Sequence, residues 1–424
     1  MIRSEPLAAS PHATQPSLLS RTCRFLLEQR LTALREGEVE VADGDRRRRF
    51  GTPAEPALAT QVAFRDGRAY RSIALGGAIG AAEAYARGWW TASDLTALIR
   101  IVARNPEVAN GIDGWTTRAA MAAHRVRHRL RLNRRDRSRR NIAAHYDLGN
   151  SFFAAFLDPT MTYSCAVFRD ERSTLEEASR RKLDLVCRKL QLAPGDEVVE
   201  IGGGWGSFAL HAAAVHGCRV TTTTISDEQY AHVAGRIAAA GLGERVRAVR
   251  VDYRDLPGVV GRRFDKVVSL EMIEAVGEAF LDTYIDVCNR LTKPGGRMLL
   301  QAIVIDDGRY AAYRRSVDSM QSLVFPGGFL PSLADLRRRW QARTPFTVAD
   351  VEDITAHYPP TLRAWRSRLA GRWRELIALG YPERLLRLWE YYFCYSEAGF
   401  LERTIGDVQV LLTKPGAAAP ERQG

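Results

Sequence analysis

A chain of 424 residues with 46% hydrophobic and 26% charged side chains lies in the ordinary globular range and is long enough for two hydrophobic cores. This balance argues against a disordered or fibrous protein. The formal net charge of +12 indicates a polyanionic partner, which charge alone leaves open between nucleic acid and an anionic bilayer.

The six cysteines lack CxxC pairs, so we expect reduced thiols in the cytoplasm, no disulfide framework and no metal site. The N-terminus lacks the apolar core of a signal peptide, and no stretch reaches the ~18 uncharged apolar residues that cross a bilayer. Any contact with a membrane is therefore expected to be peripheral, from its cytoplasmic, inner face.

The first third of the chain predicts a small α+β domain over residues 19–123, after a disordered N-terminus at 1–18. A helix is indicated from Leu19 to Glu36, with Gly37 as its C-terminal stop. Alternating patterns at Glu38–Ala42 and Gln61–Phe64 are typical of strands.

Residues 124–140 hold nine arginines between Arg125 and Arg140 and are too polar for a core. One interpretation is an interdomain linker or a solvated helix face. The alternative is a surface that contacts phosphate groups, either of lipids or of nucleic acid.

From residue 141 to 415 strands alternate with helices, which predicts a Rossmann-like α/β domain with a doubly wound parallel sheet, followed by a disordered tail at 416–424. The predicted strands are Asp196–Ile201, Cys218–Thr224, Arg247–Val251, Lys266–Leu270 and Arg297–Ile303, and the predicted helices between them include Ser207–His216 and Asp227–Ala240.

The sharpest motif is Glu200-Ile-Gly202-Gly-Gly204-Trp-Gly206, which follows a strand and opens a helix. Glycines allow the backbone to approach a ligand closely, and a helix N-terminus presents free N–H groups. The spacing fits S-adenosylmethionine better than a dinucleotide, although another Rossmann-like enzyme or a structural turn stays open.

Polar side chains after the next two strands favour the same cofactor. Thr224 and Gln229 follow the second strand and can hydrogen-bond near a ribose. Asp252 and Tyr253 follow the third, where a carboxylate can accept from an adenine amino group and an aromatic ring can lie on the base. Each segment taken alone is equally compatible with a helix cap or a loop.

These motifs, with HYDLGNSFFAAFLDPTMTYSCAVF (His145–Phe168), EMIEAVG (Glu271–Gly277), FPGGFLPS (Phe325–Ser332) and WEYYFCYSEAGFLERTIGDVQ (Trp389–Gln409), resemble the cyclopropane-fatty-acyl-phospholipid synthases and their mycolic-acid and branched-fatty-acid relatives. The resemblance implies transfer of a methyl(ene) group from S-adenosylmethionine to the double bond of unsaturated acyl chains of phospholipids, which gives cyclopropane chains. The N-terminal domain resembles that of the phospholipid-acting members and favours that substrate.

The resemblance also implies roles for individual residues. Tyr163 and Ser164 would contact the methionine end of the cofactor, beside Glu200, Gly202 and Gly204. A bicarbonate ion would be held by five residues treated as catalytic: Cys165, Glu274, Gln301, Ile303 and Tyr358. Such an ion would serve as the base, because alkene methylation leaves a carbocation that must be shielded from water and must lose a proton.

Three positions depart from the family pattern: Gly203 replaces a common Cys, Ala275 replaces His, and Gln301 stands where the better-known cyclopropane synthases have His. The first is expected to be harmless. Gln can donate to bicarbonate but cannot titrate, so the product stays open between a cyclopropane and a methylene- or methyl-branched chain.

The rival hypotheses are a small-molecule methyltransferase, a nucleic-acid methyltransferase suggested by the arginine run, and an inactive lipid-binding scaffold. The chain lacks the Asn/Asp-Pro-Pro-Tyr/Phe motif of amino-group DNA methylation. The expected partners are therefore membrane phospholipids with unsaturated acyl chains and an anionic membrane surface. No nucleic acid is expected, and a homodimer stays open.

Overall fold

A computed structural model describes residues 17–52, 58–108 and 148–416. The chain divides into two compact units, Met1–Ala123 with Tyr381–Tyr395, and His124–Gly380 with Ser396–Gly424. Residues 381–395 were expected in the second domain, but they group with the first unit. Among the described helices, none has the length and apolar character needed to span a bilayer. The arginine run at 124–140 lies outside the described residues, as do residues 1–16 and 417–424 of the ends predicted to be disordered at 1–18 and 416–424. Leu18, at the edge of the first of these ends, begins a helix.

The first unit contains a four-stranded sheet in the order β2-β1-β3-β4, in which β1 runs antiparallel to β2 and parallel to β3. Its strands are β1 (Gly37–Asp43), β2 (Arg46–Thr52), β3 (Ala59–Phe64) and β4 (Trp90–Ala92), and its helices are α1 (Leu18–Leu31), α2 (Arg68–Ala86) and α3 (Leu95–Arg104). Both predicted strands of this region lie within β1 and β3. The predicted first helix is five residues too long, because it ends at Leu31.

The second unit contains a seven-stranded sheet in the order β10-β11-β9-β8-β5-β6-β7. Strands β5 to β9 are mutually parallel, and β11 runs antiparallel to both β9 and β10. The strands are β5 (Glu197–Ile201), β6 (Arg219–Thr224), β7 (Val246–Arg250), β8 (Phe264–Leu270), β9 (Thr292–Ile305), β10 (Thr347–Asp353) and β11 (Ile405–Thr413).

The remaining helices follow in chain order, and all but the last connect or cover these strands. They are α4 (Asn150–Phe156), α5 (Leu175–Leu190), α6 (Ser207–His216), α7 (Asp227–Ala239), α8 (Leu256–Val260), α9 (Leu281–Leu291), α10 (Asp307–Tyr313), α11 (Ser319–Leu323), α12 (Leu333–Arg343), α13 (Tyr358–Gly371), α14 (Trp373–Ala378) and α15 (Glu383–Leu401). Short 3₁₀ turns occur at Ile273–Ala275, Glu278–Phe280 and Thr355–His357.

The central sheet has a buried core on each face. Consecutive residues of β5 face opposite sides, as expected for a strand: Val198 packs with Phe208 of α6, whereas Val199 packs with Ile285 of α9. Continuous apolar segments with helices on both sides are the mark of a doubly wound sheet. The predicted Rossmann-like α/β fold is therefore confirmed, with two antiparallel strands added at one edge.

Helix α15 explains why residues 381–395 group with the first unit. The Tyr85 hydroxyl of α2 donates to Glu390 Oε2 at 2.8 Å, and the Tyr85 and Tyr391 ring centroids lie 5.7 Å apart. No local pattern in the sequence signals such a pairing, because the partners lie 305 positions apart in the chain.

Candidate active site

The glycine loop joins β5 to α6 at the carboxyl edge of the parallel sheet, where ligands of such folds usually bind. Gly202, Gly204 and Gly206 have φ values of 82°, 54° and 81°, a conformation that glycine adopts without a steric penalty. A Cβ at Gly202 would lie 2.5 Å from Met272 Cγ, whereas a Cβ at Gly204 would meet no atom within 4 Å. The loop therefore packs tightly at Gly202 and borders open space at Gly204.

A single cavity lies against this loop. It is lined by all nine residues predicted to bind the cofactor: Tyr163, Ser164, Glu200, Gly202, Gly204, Thr224, Gln229, Asp252 and Tyr253. The carboxyl ends of β5, β6 and β7 thus bring together segments that are up to 90 positions apart. That these residues bind the cofactor stays a prediction.

The third cofactor segment differs in detail from its expected role. The Asp252 carboxylate is held by Arg254, whose Nε and Nη2 donate to Oδ1 at 2.8 Å and Oδ2 at 2.5 Å. This bidentate pair is almost fully buried and fixes the carboxylate at the cavity wall. Tyr253 lies beside it with its ring edge against Tyr284, at a centroid distance of 5.6 Å.

Lys182 of α5 also lines the cavity, and no sequence motif indicated this role. It is 1% exposed, and its Nζ donates to Ser164 Oγ at 2.8 Å. Burial lowers the pKa of Lys182, while the negative charges of Glu271, Cys165, Asp407 and Glu200 act in the opposite direction. Burial also raises the pKa of Glu200 to about 7, against a hydrogen bond of 2.6 Å from the Thr222 hydroxyl.

Glu271 is the second residue that the sequence analysis missed. It lines the same cavity, directly after β8. Oε1 accepts from the Cys165 backbone N–H at 2.8 Å and from Gln301 Nε2 at 2.6 Å, and Oε2 accepts from the Tyr358 hydroxyl at 2.6 Å. Three of the five residues predicted to hold bicarbonate therefore converge on a carboxylate of the protein itself.

The other two predicted residues form a separate pair. Glu274 Oε1 accepts from the Ile303 backbone N–H at 2.5 Å, and within the described residues Oε2 is buried without a hydrogen-bond partner. Burial, and to a lesser degree the neighbouring Glu271, raises the pKa of Glu274 to about 8. Burial likewise raises the pKa of Asp407 on β11 well above its usual range, so this pocket holds three carboxyl groups.

A chain of amides fixes the orientation of Gln301. Its Nε2 also donates to Asp407 Oδ2 at 3.1 Å, its Oε1 accepts from Gln409 Nε2 at 3.0 Å, and Gln409 in turn accepts from Lys189 Nζ at 2.8 Å. Because the amide oxygen is already taken by Gln409, the amide nitrogen must face the two carboxyl groups. Gln301 therefore acts as a donor toward Glu271.

All six cysteines are buried and free of disulfides. Cys187, His211 and His216 bring their ligating atoms within 4.8 Å of one another, a proximity that cysteine spacing did not predict. However, His211 Nε2 lies 2.7 Å from Asp184 Oδ1, and burial raises the pKa of the Cys187 thiol, which disfavours the thiolate that a metal requires. We assign no metal to this group.

Comparisons with known proteins agree with this geometry. A family model described as mycolic acid cyclopropane synthetase matches residues 133–410. A tuberculostearic acid methyltransferase of Mycobacterium tuberculosis is 36% identical over 422 residues, which cover 97% of this chain and 93% of the relative. The cyclopropane-fatty-acyl-phospholipid synthase of Escherichia coli K12 is 33% identical over 347 residues, or 81% of this chain and 85% of the relative.

Among solved structures, mycolic acid cyclopropane synthase CmaA1 complexed with SAH and CTAB aligns with a TM-score of 0.60 and 30% sequence identity, over 65% of this chain and 98% of that one. The family match covers more than half of the chain and contains the glycine loop, Glu271 and Tyr358. The chain thus belongs to the mycolic acid cyclopropane synthetase family of S-adenosylmethionine-dependent methyltransferases.

Proposed function

We propose that this protein transfers a methyl(ene) group from S-adenosylmethionine to the double bond of unsaturated acyl chains in phospholipids, with a cyclopropane chain as the product. The observation that carries the proposal is the shared cavity, which the glycine loop lines together with the partly buried Glu271 carboxylate. A site for the cofactor and a group suited to deprotonation thus lie side by side. The relative from E. coli, named a cyclopropane-fatty-acyl-phospholipid synthase, supports the substrate class.

The cavity residues fit the cofactor. Open space at Gly204 allows close approach of the backbone, Thr224 and Gln229 present polar groups, and Asp252 is held at the wall as an acceptor. When bound, S-adenosylmethionine supplies an electrophilic methyl group on a sulfonium. Tyr163 lies among aromatic rings that exclude water, with centroids at 5.5 Å for Phe153 and 5.3 Å for Trp365. Aromatic faces also stabilise cations.

A methylene- or methyl-branched acyl chain is the second candidate product. Gln301 replaces a titratable His in the pocket, and the relative that matches 97% of this chain is named a tuberculostearic acid methyltransferase. The methyl transfer is common to all these products. A methylene-branched chain differs from a cyclopropane only in the fate of the carbocation, and a saturated methyl branch requires a later reduction of the methylene group.

We also propose that the first unit binds an anionic bilayer peripherally from the cytoplasmic side. One face of α1 exposes Leu18, Leu19, Phe25 and Leu26, with exposed fractions from 46% to 82%. Arg46 to Arg49 are exposed on β2, and two of them reach Glu28 of α1, so basic and apolar groups adjoin. This pairing matches the headgroups and acyl chains of an anionic membrane surface.

The function is tested by incubating the purified protein with vesicles of monounsaturated phospholipid and S-adenosylmethionine that carries a deuterated methyl group. Mass spectrometry should show acyl chains heavier by one labelled methylene unit. Proton magnetic resonance of the product made with unlabelled cofactor distinguishes a cyclopropane ring from a methylene branch. Vesicles of fully saturated phospholipid are the matched control and should remain unchanged. Absence of labelled lipid from the unsaturated vesicles would refute the proposal.

A further inference from the structure

The Glu271 carboxylate occupies the place where the family resemblance implies a bicarbonate ion. The Cys165 N–H, the Gln301 amide and the Tyr358 hydroxyl all donate to its two oxygens, at 2.6 to 2.8 Å. Donors that converge in this way are what an oxyanion requires. Here that oxyanion is part of the chain.

The residues present do not fit an additional bicarbonate. Three of the expected donors are already paired with Glu271, and the fourth, the Ile303 N–H, is paired with Glu274. A further anion would also lie close to the negatively charged Glu271 carboxylate, beside Glu274 and Asp407, whose raised pKa values keep them mainly protonated near neutral pH. Like charges at short range in a pocket that excludes water oppose one another strongly.

The backbone at Glu271 is a second, independent observation. Its φ is 50°, a left-handed conformation that costs a residue with a side chain roughly 1 kcal/mol or more. Glycine would avoid this cost. The chain therefore keeps a carboxylate at a position where the backbone favours glycine, as expected when the side chain itself is needed.

We propose that Glu271 is a catalytic residue that replaces bicarbonate in this protein, an inference that rests on the proposed function. Its carboxylate supplies the fixed negative charge opposite the carbocation. It then accepts the proton: one C–H bond of the newly added methyl group breaks, the proton moves to a Glu271 oxygen, and the electron pair closes the ring bond to the cationic carbon. For a methylene-branched product, a hydride first shifts between the two former alkene carbons, so that the cation lies on the carbon that carries the new methyl group. The same proton loss then forms the methylene double bond. Neither of these two products requires an oxidant or reductant, whereas a saturated methyl branch would need a separate reduction of the methylene group.

Gln301 fits this role better than a histidine would. Its amide nitrogen donates to Glu271, and its oxygen is held by Gln409. An amide can hold a carboxylate without competing for the transferred proton, because it does not titrate. The replacement of His by Gln at position 301 and the carboxylate at Glu271 therefore belong together, because the amide of Gln301 holds that carboxylate.

The test compares turnover in buffer stripped of carbon dioxide with turnover in added bicarbonate, for the intact protein and two variants. The intact protein should turn over equally in both buffers. Glu271→Gln keeps the size of the side chain, and its amide can still meet Tyr358, so we expect normal folding and cofactor affinity. Its turnover should fall by ~10²–10⁴-fold, the usual cost of losing a positioned base. Glu244→Gln, on an exposed loop, is the matched control and should be unaffected.

Glu271→Gly relieves the left-handed backbone and leaves the three donors around a space of anion size. Its low turnover should rise with added bicarbonate or formate, while the intact protein does not respond. The inference is overturned if the intact protein loses turnover without bicarbonate, or if Glu271→Gln retains near-normal turnover. Failure of the intact protein to label any lipid would instead refute the proposed function, so the two failures are distinguishable.

Discussion

Single glycines determine how closely a ligand can approach the loop after β5. Gly204 and Gly261 have nearly the same backbone, with φ values of 54° and 61°, and neither would place a Cβ within 4 Å of another atom. Gly204 lines the cavity, whereas Gly261 does not. The pair therefore separates the cost of a left-handed backbone from the loss of space for the cofactor.

We predict that Gly204→Val abolishes S-adenosylmethionine binding, because its side chain would enter the space that the cofactor needs. Isothermal titration calorimetry measures this directly. Gly261→Val should lose a similar stability, roughly 1–2 kcal/mol, yet bind the cofactor normally. Unchanged affinity in Gly204→Val would show that the cofactor does not lie against this loop.

The raised pKa of Glu274 predicts a pH-dependent stability. Between about pH 4.5 and 8 the unfolded chain has released a proton that the folded protein retains at Glu274. The unfolded state then binds fewer protons, so the free energy of unfolding falls as pH rises, by at most ~1.4 kcal/mol per pH unit from this group. Urea titrations from pH 5 to 8 should show a shallower fall for Glu274→Gln than for the intact protein. Parallel curves for the two proteins would contradict the assignment.

The sequence motifs predicted the position of the site, since all nine residues expected to bind the cofactor line one cavity. Lys182 could not be found this way, because it is one charged residue on a helix with no local signal of burial. Glu271 stands inside the EMIEAVG motif, but the family pattern drew attention to Glu274 only. What distinguishes Glu271 is its three distant donors, which become neighbours only in the folded chain.

At the scale of elements, the parallel strands β5 to β9 were predicted from the sequence, whereas β2, β10 and β11 were not. These strands alternate with helices, and β5 and the second half of β9 carry apolar runs, which together are a strong signal. Strand β2 begins with four exposed arginines, and β10 is polar and mostly exposed, so neither shows a clear alternation. The alternation in strand β11 is interrupted by Asp407 and Gln409. Both are buried polar residues, and each is hydrogen-bonded to Gln301.

A side chain of helix α7, Arg236, hydrogen-bonds to two loops at the cavity. Arg236 Nη1 donates to the carbonyl oxygens of Thr160 and Trp205, both at 2.9 Å, and so ties the segment before Tyr163 to the glycine loop. We predict that Arg236→Met lowers cofactor affinity about tenfold or more and destabilises the fold, since both carbonyls lose a charged donor, and such a hydrogen bond is worth ~1.5–3 kcal/mol. The Thr160 oxygen keeps only the Ser207 hydroxyl, at 2.9 Å. Calorimetry and urea unfolding test both effects. The control is Arg247→Met, at an exposed arginine. Equal cofactor affinity in the two variants would show that Arg236 does not position the cavity loops.

For the whole molecule, the net charge of +12 and the exposed face of α1 predict binding to anionic vesicles that weakens with salt. Headgroup attraction is worth ~1 kcal/mol per basic residue and is screened within about 10 Å at 0.1 M salt. In flotation assays Phe25→Ser with Leu26→Ser should reduce binding. The control is the double variant Val215→Ser with Val259→Ser, which removes similarly exposed apolar side chains from the second unit. This control should bind vesicles as strongly as the intact protein. Flotation indifferent to both salt and lipid charge would contradict the membrane proposal.

Helix α15 has a consequence for dissecting the protein into fragments. A cut between Ala123 and His124 severs the two units in sequence, but it leaves Tyr381–Tyr395 on the fragment opposite to the residues with which it packs. Tyr85 would remain hydrogen-bonded to Glu390 across the cut. Two polypeptides, 1–123 and 124–424, produced in the same cell should therefore purify as one non-covalent complex. The second, produced alone, would present the bare side of a helix and tend to aggregate.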